Sequence, residues 1–318
     1  MDLRQLRYFV EIVESGSFSK AASRLHVAQP ALSQHVRRME EELGVALQHR
    51  GTQGVMPTEA GERLGRHARR LLDEFAEIPE SVRDAAATPR GEVRFGMPGT
   101  VAERLAVPLI EAARARYPGI RIRVVEAMSG YVLDWLRRGD VDLAMIYGAA
   151  DPRGLTVHHA LSEEICLFAG ASIRDARRSG RAVSLKHAAR LPLIVPGPGH
   201  GLRDLIDDAA RAARATVSPA IEIDSYSQIK KLAMRGLGFG MLPLTAVEAE
   251  AEKGVFRTWR LTPRVTRKVY LAYATERPLL NAPRAIGQLS WQVLRRLVLE
   301  KTWAARLPGD DEAPDLWK

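Results

Sequence analysis

The sequence predicts a multidomain chain in which a helical N-terminal part is joined by a long helix to an α/β part. Two observations lead to this fold class. Through about the first 80 residues, apolar side chains recur at steps of three and four, which is the period of an amphipathic helix. From about residue 91 onward, apolar runs of strand length alternate with helical segments. The length of 318 residues leaves room for two or three compact units.

The composition excludes several broad classes. With 46% hydrophobic and 27% charged residues, most of the chain holds enough apolar surface to fold. No apolar run approaches the roughly 18–20 residues that span a bilayer, and the first seven residues do not resemble a signal peptide. The single cysteine, Cys166, forms neither an internal disulfide nor a cysteine cluster. We therefore expect a cytoplasmic protein without a membrane partner.

The formal net charge of +9 is not evenly distributed. Residues 1–89 hold 12 Lys and Arg against 13 Asp and Glu, whereas residues 90–318 hold 35 against 25. The helical part is thus close to neutral. Bulk charge alone does not support nucleic-acid binding, and such an assignment must depend on where individual cations lie.

Three short helices are predicted within the first 45 residues. The first follows the apolar spacing of 3–13 and ends at Gly16, and Ser17 is placed to cap the second. Pro30 marks the start of the third helix, because proline in the first turn loses no hydrogen bond. The inward face of the third helix is formed by Leu32, Val36, Met39 and Leu43. Two short helices and a tight turn of this kind predict a helix-turn-helix.

The opposite face of the third helix carries side chains suited to reading DNA. Gln34 matches the donor and acceptor pattern of adenine, and Arg37 or Arg38 suits guanine or phosphate. Ser33 on the flank suits either kind of acceptor. A solvated helix face explains the same residues, and periodicity does not separate the two interpretations.

Five segments of this region resemble the LysR-type transcriptional regulators, and the branch that includes the nitrogen assimilation control protein is the most similar. They are Leu6–Val10, Gly16–Ala22, Leu25–Gln34, Glu40–Gly44 and Pro57–Gly61. The resemblance implies a winged helix-turn-helix domain over 1–58, with residues 29–37 at the major groove of double-stranded promoter DNA. The DNA-binding residues that follow from it are Gln29, Pro30, Ala31, Ser33, Gln34, Arg37 and Arg38.

The chain departs from the family pattern at the wing. Members usually have Leu-Phe before the wing, but here Leu47 is followed by Gln48. The wing itself, 50–54, carries Gln53 where a basic residue is common. Fewer charged contacts predict a shallower salt dependence of DNA binding.

A linker helix is predicted over 59–88, beginning at a Thr58 cap. Its apolar positions alternate steps of four and three, as in a helix that pairs with another helix. They are Leu64, Ala68, Leu71, Phe75, Ile78 and Val82. Packing on the rest of the chain is the alternative, but the resemblance implies pairing between protomers and a homodimer or homotetramer. Pro79 is expected to kink or stop the helix, and 88–91 to form a hinge.

Residues 91–305 are predicted to form two α/β lobes with the pattern of parallel sheets. This region resembles the periplasmic-binding-protein-like effector domain of the same family, and the tail 306–318 is expected to be disordered. The predicted strands are 92–97, 120–127, 143–147, 164–169, 193–196, 221–224, 238–242 and 269–273. The predicted helices are 101–117, 131–139, 201–214, 226–236 and 279–303.

Ligands of open α/β lobes bind beyond the carboxyl ends of the strands. Loops at these ends, together with two helix N-termini, predict an effector site formed by Thr100, Ser129, Tyr147, Gly148 and Arg203. Free N–H groups and an arginine favour an anion, so we expect a small carboxylate. The alternatives are that these loops are simple turns and that Arg203 pairs with Asp204 or Asp207 on its own helix.

No motif indicates catalysis. Neither Gly-rich segment continues as a dinucleotide fingerprint, and no nucleotide P-loop or zinc-binding His-Glu-x-x-His pattern occurs. Cys166 lies in an apolar strand, as an inert thiol would. We therefore predict a regulator of transcription without cofactor or metal, controlled by a small effector, with RNA polymerase as a candidate partner. A regulator without an effector, a purely architectural DNA-binding protein and an α/β enzyme are the alternatives.

Overall fold

The protein divides into two compact units, Met1–Thr88 and Pro89–Lys318. A computed structural model describes residues 1–51, 54–83, 88–148, 153–173, 182–276 and 279–309. Each unit has its own hydrophobic core. The boundary falls within the predicted hinge at 88–91, where a Pro-Arg-Gly sequence interrupts the helical pattern.

The first unit consists of four helices and a two-stranded sheet. The helices are α1 (Leu3–Ser15), α2 (Phe18–Leu25), α3 (Gln29–Leu43) and α4 (Glu59–Arg83). The strands β1 (Gln48–Gly51) and β2 (Gly54–Pro57) pair antiparallel. As predicted, Ser17 caps α2 by accepting a hydrogen bond from the Lys20 N–H. Asp2 caps α1 in a capping box with Gln5, which the sequence analysis missed.

Helix α4 starts beside the sheet and continues past Pro79. Thr58 caps it by accepting a hydrogen bond from the Gly61 N–H at 3.0 Å. A side chain at Gly61 would collide with the Leu47 carbonyl oxygen, so only glycine lets the helix approach this closely. Of the two outcomes expected at Pro79, a kink or a stop, the stop is wrong, because α4 runs on to Arg83. An internal proline removes one backbone donor, and the remaining turns keep their bonds.

The second unit alternates helices and strands. Its helices are α5 (Gly99–Arg116), α6 (Ser129–Arg138), α7 (Leu185–Ala188), α8 (Gly201–Ala212), α9 (Tyr226–Met234), α10 (Glu248–Glu252) and α11 (Asn281–Leu299). Its strands are β3 (Gly91–Pro98), β4 (Ile120–Ala127), β5 (Leu143–Tyr147), β6 (Leu155–Gly170), β7 (Ala182–Ser184), β8 (Leu193–Val195), β9 (Pro219–Glu222), β10 (Phe239–Pro243), β11 (Phe256–Thr262), β12 (Thr266–Ala274) and β13 (Ala305–Arg306).

These elements form two lobes that share strand β6. In the first lobe the strand order is β4-β3-β5-β12-β6, and in the second it is β6-β10-β8-β9, with β11 on the other side of β6. The first half of β6 pairs with β12, and its second half pairs with β10 and β11. The chain crosses between the lobes along β6 and returns after β11. The carboxyl ends of β3, β4 and β8 therefore open toward the junction of the lobes.

The observed sheets are mixed, which corrects the expectation of parallel sheets. Strand β12 is antiparallel to both β5 and β6, because it returns from the second lobe. Strand β6 begins at Leu155, nine residues before the predicted strand, and β11 was not predicted. The predicted disordered tail began too early, since Arg306 pairs with Ser162 in β13. Its remaining residues, 310–318, lie outside the described ones.

Candidate nucleic-acid interface and ligand cleft

Helix α3 presents the predicted DNA-binding residues on its outer face. Its inner face, with Leu32, Val36 and Met39, is fully buried against α1 and α2. The outer face carries Gln29, Pro30, Gln34, Arg37 and Arg38, together with Ala31 and Ser33. Most of these residues are exposed or partly exposed to solvent. The apolar side thus fixes the rotation of the helix, and the polar side is left free for a partner.

The arginines of this face form no ion pairs within the described part of the first unit. Among the described residues, Arg37 and Arg38 take part in no ion pair, whereas Arg24 on α2 pairs with Glu11 at 2.9 Å. At the start of α3, Gln29 accepts a hydrogen bond from the Ser19 hydroxyl at 3.1 Å. This bond holds one side chain of α3 against α2, while Gln34 and both arginines remain available to bases and phosphates.

The segment just before the wing contains a buried polar residue at the position where the chain departs from the family pattern. Gln48 at the start of β1 is only 7% exposed, and neither its amide nitrogen nor its oxygen has a hydrogen-bond partner among the described residues. An unsatisfied buried amide costs about 1–3 kcal/mol. Gln53, the second departure, lies outside the described residues.

The apolar positions of the linker helix α4 fall into two groups, one that packs on the chain itself and one that is exposed to solvent. At its N-terminal end Ala68 is fully buried and Leu64 packs on the core of the first unit. Further along, Leu71, Phe75 and Ile78 are 48%, 54% and 51% exposed. The first turns therefore pack on the chain itself, and the later turns carry an exposed apolar stripe. The side chain of Val82 lies outside the described residues.

A cavity of about 330 Å³ lies at the junction of the two lobes in the second unit. The end of β3 and the start of α5 form one wall, together with the ends of β4 and β5. The opposite wall comes from the second lobe, at the start of α8 and of α9. The polar residues that line it are Thr100, Glu126, Tyr147, His200, Asp224, Ser225, Tyr226, Ser227 and Arg267. We call this cavity the cleft.

The base of the cleft is a buried polar network centred on Arg267 of β12. The Arg267 guanidinium donates to Glu163 Oε2 through Nε at 3.1 Å, and through Nη2 to Thr100 Oγ1 at 2.9 Å. Its Cζ lies 3.7 Å from the centre of the Tyr147 ring. Glu163 Oε1 accepts from the Thr245 hydroxyl and from the Trp303 indole, each at 2.9 Å. Because Glu163 is fully buried, these donors hold its charge in place of water.

Thr100 and Tyr147 supply a hydroxyl proton that the network does not use. Their oxygens lie 2.7 Å apart, so one of the two hydroxyls donates to the other. Burial raises the pKa of Tyr147 to about 12, so that both groups are protonated near neutral pH. Two protons are present and their mutual bond uses one. The second proton forms no hydrogen bond with a described residue, and both side chains line the cleft.

Both walls of the cleft carry an acidic group, and the wall from the second lobe also carries a neutral histidine. Glu126 lies near the end of β4 on the first wall, and Asp224 Oδ1 on the opposite wall accepts a hydrogen bond from the Gly197 N–H. Burial lowers the pKa of His200 below its ordinary value. Its Nδ1 accepts a bond from the Leu202 N–H at 3.1 Å, which leaves the proton on Nε2. The cleft walls therefore offer two carboxylates and one N–H donor.

Gly99 brings the two lobes close together at the start of α5. A methyl group on its Cα would lie 2.7 Å from Glu126 Oε1 and 2.7 Å from Tyr226 Cε1. The backbone can approach these side chains only because glycine has no Cβ. Helix α5 has no side-chain cap, so its first N–H groups remain free to bind a ligand.

The structure brings together only part of the predicted effector site. Thr100 and Tyr147 line the cleft, whereas Gly148 and Arg203 do not. Gly148 follows β5 with a positive φ of 65°, which suits a turn. Ser129 begins α6 and is not among the residues that line the cleft.

Arg203 forms internal contacts that account for its charge. It donates to Asp207 Oδ2 at 2.8 Å, to Glu222 Oε1 at 2.6 Å and to the Pro196 carbonyl oxygen at 3.1 Å. The sequence analysis gave pairing with Asp204 or Asp207 as the alternative role of Arg203. The structure has the pairing with Asp207, one turn along the helix. Arg203 thus fastens α8 to the loop after β8.

The sequence analysis missed most polar residues of the cleft, and Arg267 is the one at its base. The others include Glu126, Asp224, Ser225, Tyr226 and Ser227. The signal for Arg267 was available, because Val265 just before β12 and Arg267, Val269 and Leu271 within it are all buried and recur at every second position. An arginine on the apolar face of a strand requires a buried partner. That partner, Glu163, lies 104 residues away in the chain, so no local pattern connects them.

Other chemistries find no support among the described residues. In those ranges, no three His, Cys, Asp or Glu side chains group together as metal ligands would. The helices described there include none long and apolar enough to cross a bilayer. Burial raises the pKa of Cys166 to about 12, so its thiol is a poor nucleophile.

Two family models match the chain. The model described as "Bacterial regulatory helix-turn-helix protein, lysR family" matches residues 3–62, and "LysR substrate binding domain" matches residues 86–295. The nitrogen assimilation regulatory protein nac of Escherichia coli (strain K12) is 32% identical over 305 residues, covering 95% of this chain and 98% of that protein. The protein of the same name from Klebsiella aerogenes is 31% identical over 304 residues, covering 94% and 97%.

The fold also matches solved structures. A full-length OxyR variant from Pseudomonas aeruginosa is similar with a TM-score of 0.72 and 25% identity, over 93% of this chain and 98% of that one. Both sequence relatives named above are regulatory proteins, which agrees with the prediction that this chain is not an enzyme. The predicted fold class, a helix-turn-helix domain followed by a two-lobed α/β domain, is confirmed.

Proposed function

The chain belongs to the LysR family of DNA-binding transcriptional regulators, and from this premise we propose that a small carboxylate in the cleft controls how it binds a promoter site. The observation that carries the proposal is the base of the cleft. There an uncapped helix N-terminus and an unused hydroxyl proton face the same cavity. Both favour a ligand with negatively charged oxygens.

We propose that α3 reads the promoter through the seven residues of its outer face. Gln34, Arg37 and Arg38 lie on that face without internal partners among the described residues, as base and phosphate contacts require. Gln29 and Pro30 at the first turn would meet the DNA backbone. Ala31 and Ser33 are half-buried and would contact bases only at close approach.

The cleft also restricts which other functional groups the bound carboxylate ligand can have. The charge of Arg267 is already balanced by Glu163, so the base of the cleft adds little net positive charge. Glu126 and Asp224 on the walls would repel a second anionic group and would accept hydrogen bonds. The ligand that fits is a monocarboxylate with a hydroxyl or amino group, which is narrower than the carboxylate expected from the sequence. Ser129 does not line the cleft itself, but it follows the lining residue Met128 and stays a proposed contact for a ligand that extends past it.

We further propose that protomers pair through the exposed stripe of α4 and that the protein acts in the cytoplasm. The stripe, formed by Leu71, Phe75 and Ile78, is an apolar surface on a helix whose polar side faces away. LysR regulators bind DNA as oligomers, and a dimer or a tetramer is consistent with this surface. Contact with RNA polymerase on the promoter is part of the proposal.

Calorimetric titration of the full chain with matched compounds tests the effector assignment. Hydroxy and amino monocarboxylates are compared with their neutral amides and with the unsubstituted acids. We expect the substituted acids to bind and Thr100→Val to weaken them about tenfold, the effect of one lost hydrogen bond to a charged group. Thr156→Val, in β6 and away from the cleft, is the control.

Two outcomes would overturn this assignment. One is equal binding of the acids and their amides, which would mean that no group in the cleft recognises a negative charge. The other is unchanged affinity in Thr100→Val, which would place the ligand elsewhere in the protein.

A further inference from the structure

A second cavity, of about 290 Å³, lies in the second unit beside the start of β13. It is bounded by β6, by the turn between β11 and β12, and by the segment that follows α11. None of the residues that line it lines the cleft. We call it the β13 cavity. Its ionisable lining residues are Glu164, Glu248, Arg264, Lys301 and Arg306.

Three cations converge on the β13 cavity from separate segments of the chain. Arg264 precedes β12, Lys301 follows α11 and Arg306 ends β13. All three are exposed, and none forms an ion pair with another described residue. Cations that repel one another and lack carboxylate partners favour an anionic group between them.

The inner side of the cavity carries carboxylates where the outer side carries cations. Glu164 is half-buried, and its carboxylate forms no ion pair or hydrogen bond with another described residue. Its Oε1 is shielded by the protein, so a ligand in the cavity meets the side of the other oxygen, where a cationic donor would balance the unpaired charge. Glu248 adds a second carboxylate to the same cavity. The inner side therefore favours an ammonium group.

The cavity wall also includes a side chain that reports on its occupancy. Trp303 lines the cavity and is almost fully buried, and its indole donates to Glu163 Oε1 at 2.9 Å. Glu163 and Glu164 are neighbours on β6, so their side chains point to opposite faces of the strand. One faces the network at the base of the cleft and the other the β13 cavity. A ligand beside Trp303 would alter the surroundings of its indole.

We propose that the β13 cavity is a second ligand site and that it binds a free amino acid. The carboxylate of the ligand faces Arg264, Lys301 and Arg306, and its ammonium group faces Glu164. The side chain of the ligand packs on the apolar lining residues Leu244, Val298 and Trp303. The site is separate from the cleft and does not depend on the effector proposed there.

Calorimetric titration of the full chain with each protein amino acid tests this site. N-acetyl derivatives remove the ammonium group, and amides of the amino acids remove the carboxylate. We expect at least one amino acid to bind and both kinds of derivative to bind at least about tenfold more weakly. The variants Glu164→Gln and Arg264→Gln/Lys301→Gln should weaken it to the same extent. Arg260→Gln, an exposed arginine of β11, is the matched control.

Tryptophan fluorescence locates the bound amino acid. Binding should change the emission of wild type and of Thr100→Val alike, because Thr100 belongs to the cleft. In Trp303→Phe the change should disappear while the calorimetric signal remains. The proposal is wrong if no amino acid binds wild type, or if the Glu164 and Arg264/Lys301 variants bind as wild type does. Loss of binding in Thr100→Val alone would place the amino acid in the cleft, overturning the second site but not the proposed function.

Discussion

The two recognition surfaces of this protein are constructed in opposite ways. The outer face of α3 comes from a single helix, and its side chains make few bonds with the rest of their unit. The base of the cleft joins Glu163, Arg267 and Trp303 from three distant segments, and all three are buried. A surface that makes few internal bonds can change without affecting the fold. A network that is part of the core cannot, so substitutions in the two regions should affect different quantities.

The largest effect is expected for Glu163→Ala. It leaves the buried guanidinium of Arg267 without its carboxylate, and breaking a buried pair in this way costs about 3–5 kcal/mol. Urea denaturation followed by tryptophan fluorescence reports on this unit, because all five tryptophans lie after residue 89. Glu164→Ala is the control, and its free energy of unfolding should not fall, because Glu164 Oε1 accepts no hydrogen bond from the described residues. A stable Glu163→Ala protein would show that the network does not support the fold.

The exposed stripe of α4 should respond through association instead of stability. Leu71→Asp places a charge where the partner helix is proposed to pack, so the dimer should weaken by about 3 kcal/mol or more. Sedimentation velocity over a range of concentrations measures this. Arg63→Gln changes the net charge by the same amount on the same helix and should leave the oligomer intact. If both variants sediment as wild type does, protomers do not pair through α4.

The outer face of α3 should lose affinity for DNA at unchanged stability. Gln34→Ala should cost about 1–3 kcal/mol at the cognate site and little on unrelated DNA, because it removes one base contact. Arg37→Ala should lower both affinities more evenly if Arg37 binds phosphate. Gel shifts with the region upstream of the protein's own gene measure both. Equal affinity of wild type and the two variants would remove α3 from the interface.

The smallest effect is expected at Gln48, the buried polar residue of the first unit. Gln48→Leu removes an amide without partners among the described residues and should stabilise this unit by about 1 kcal/mol. Fluorescence does not report on it, so hydrogen exchange of peptides from 1–58 is the measurement. Exchange in α1–α3 should slow several-fold. Faster exchange would mean that the amide of Gln48 has a partner that matters for stability.

The comparison also explains which features the sequence predicts. The face of α3 follows from spacing alone, since Leu32, Val36 and Met39 determine which side is buried. The fold class follows in the same way from the alternation of strands and helices. Both are properties of neighbouring residues, and the helix-turn-helix and two-lobed architecture were predicted correctly.

The cleft was predicted less well because its contacts connect distant residues. Arg203 was chosen for its place at a helix N-terminus, but Asp207 and Glu222 already hold its charge. Arg267 was passed over because its neighbours in the sequence, Thr266 and Lys268, make the strand look polar. The first half of β6 was missed because a pair of histidines at 158–159 interrupts its apolar pattern. Local spacing does not reveal Glu222 as a partner of Arg203 or Glu163 as the partner of Arg267.

The shared strand β6 has a consequence for synthesis on the ribosome. The second lobe is a continuous segment, from the latter half of β6 to the end of β11, so its sheet is complete soon after Thr262 emerges. The first lobe is interrupted, since β5 and β6 remain apart until β12 arrives between them more than 100 residues later. Until then, strand edges of the first lobe stay open to wrong pairing. The second lobe should therefore fold first. Strand β6, already paired along its latter half, would then be the strand against which the first lobe completes its sheet.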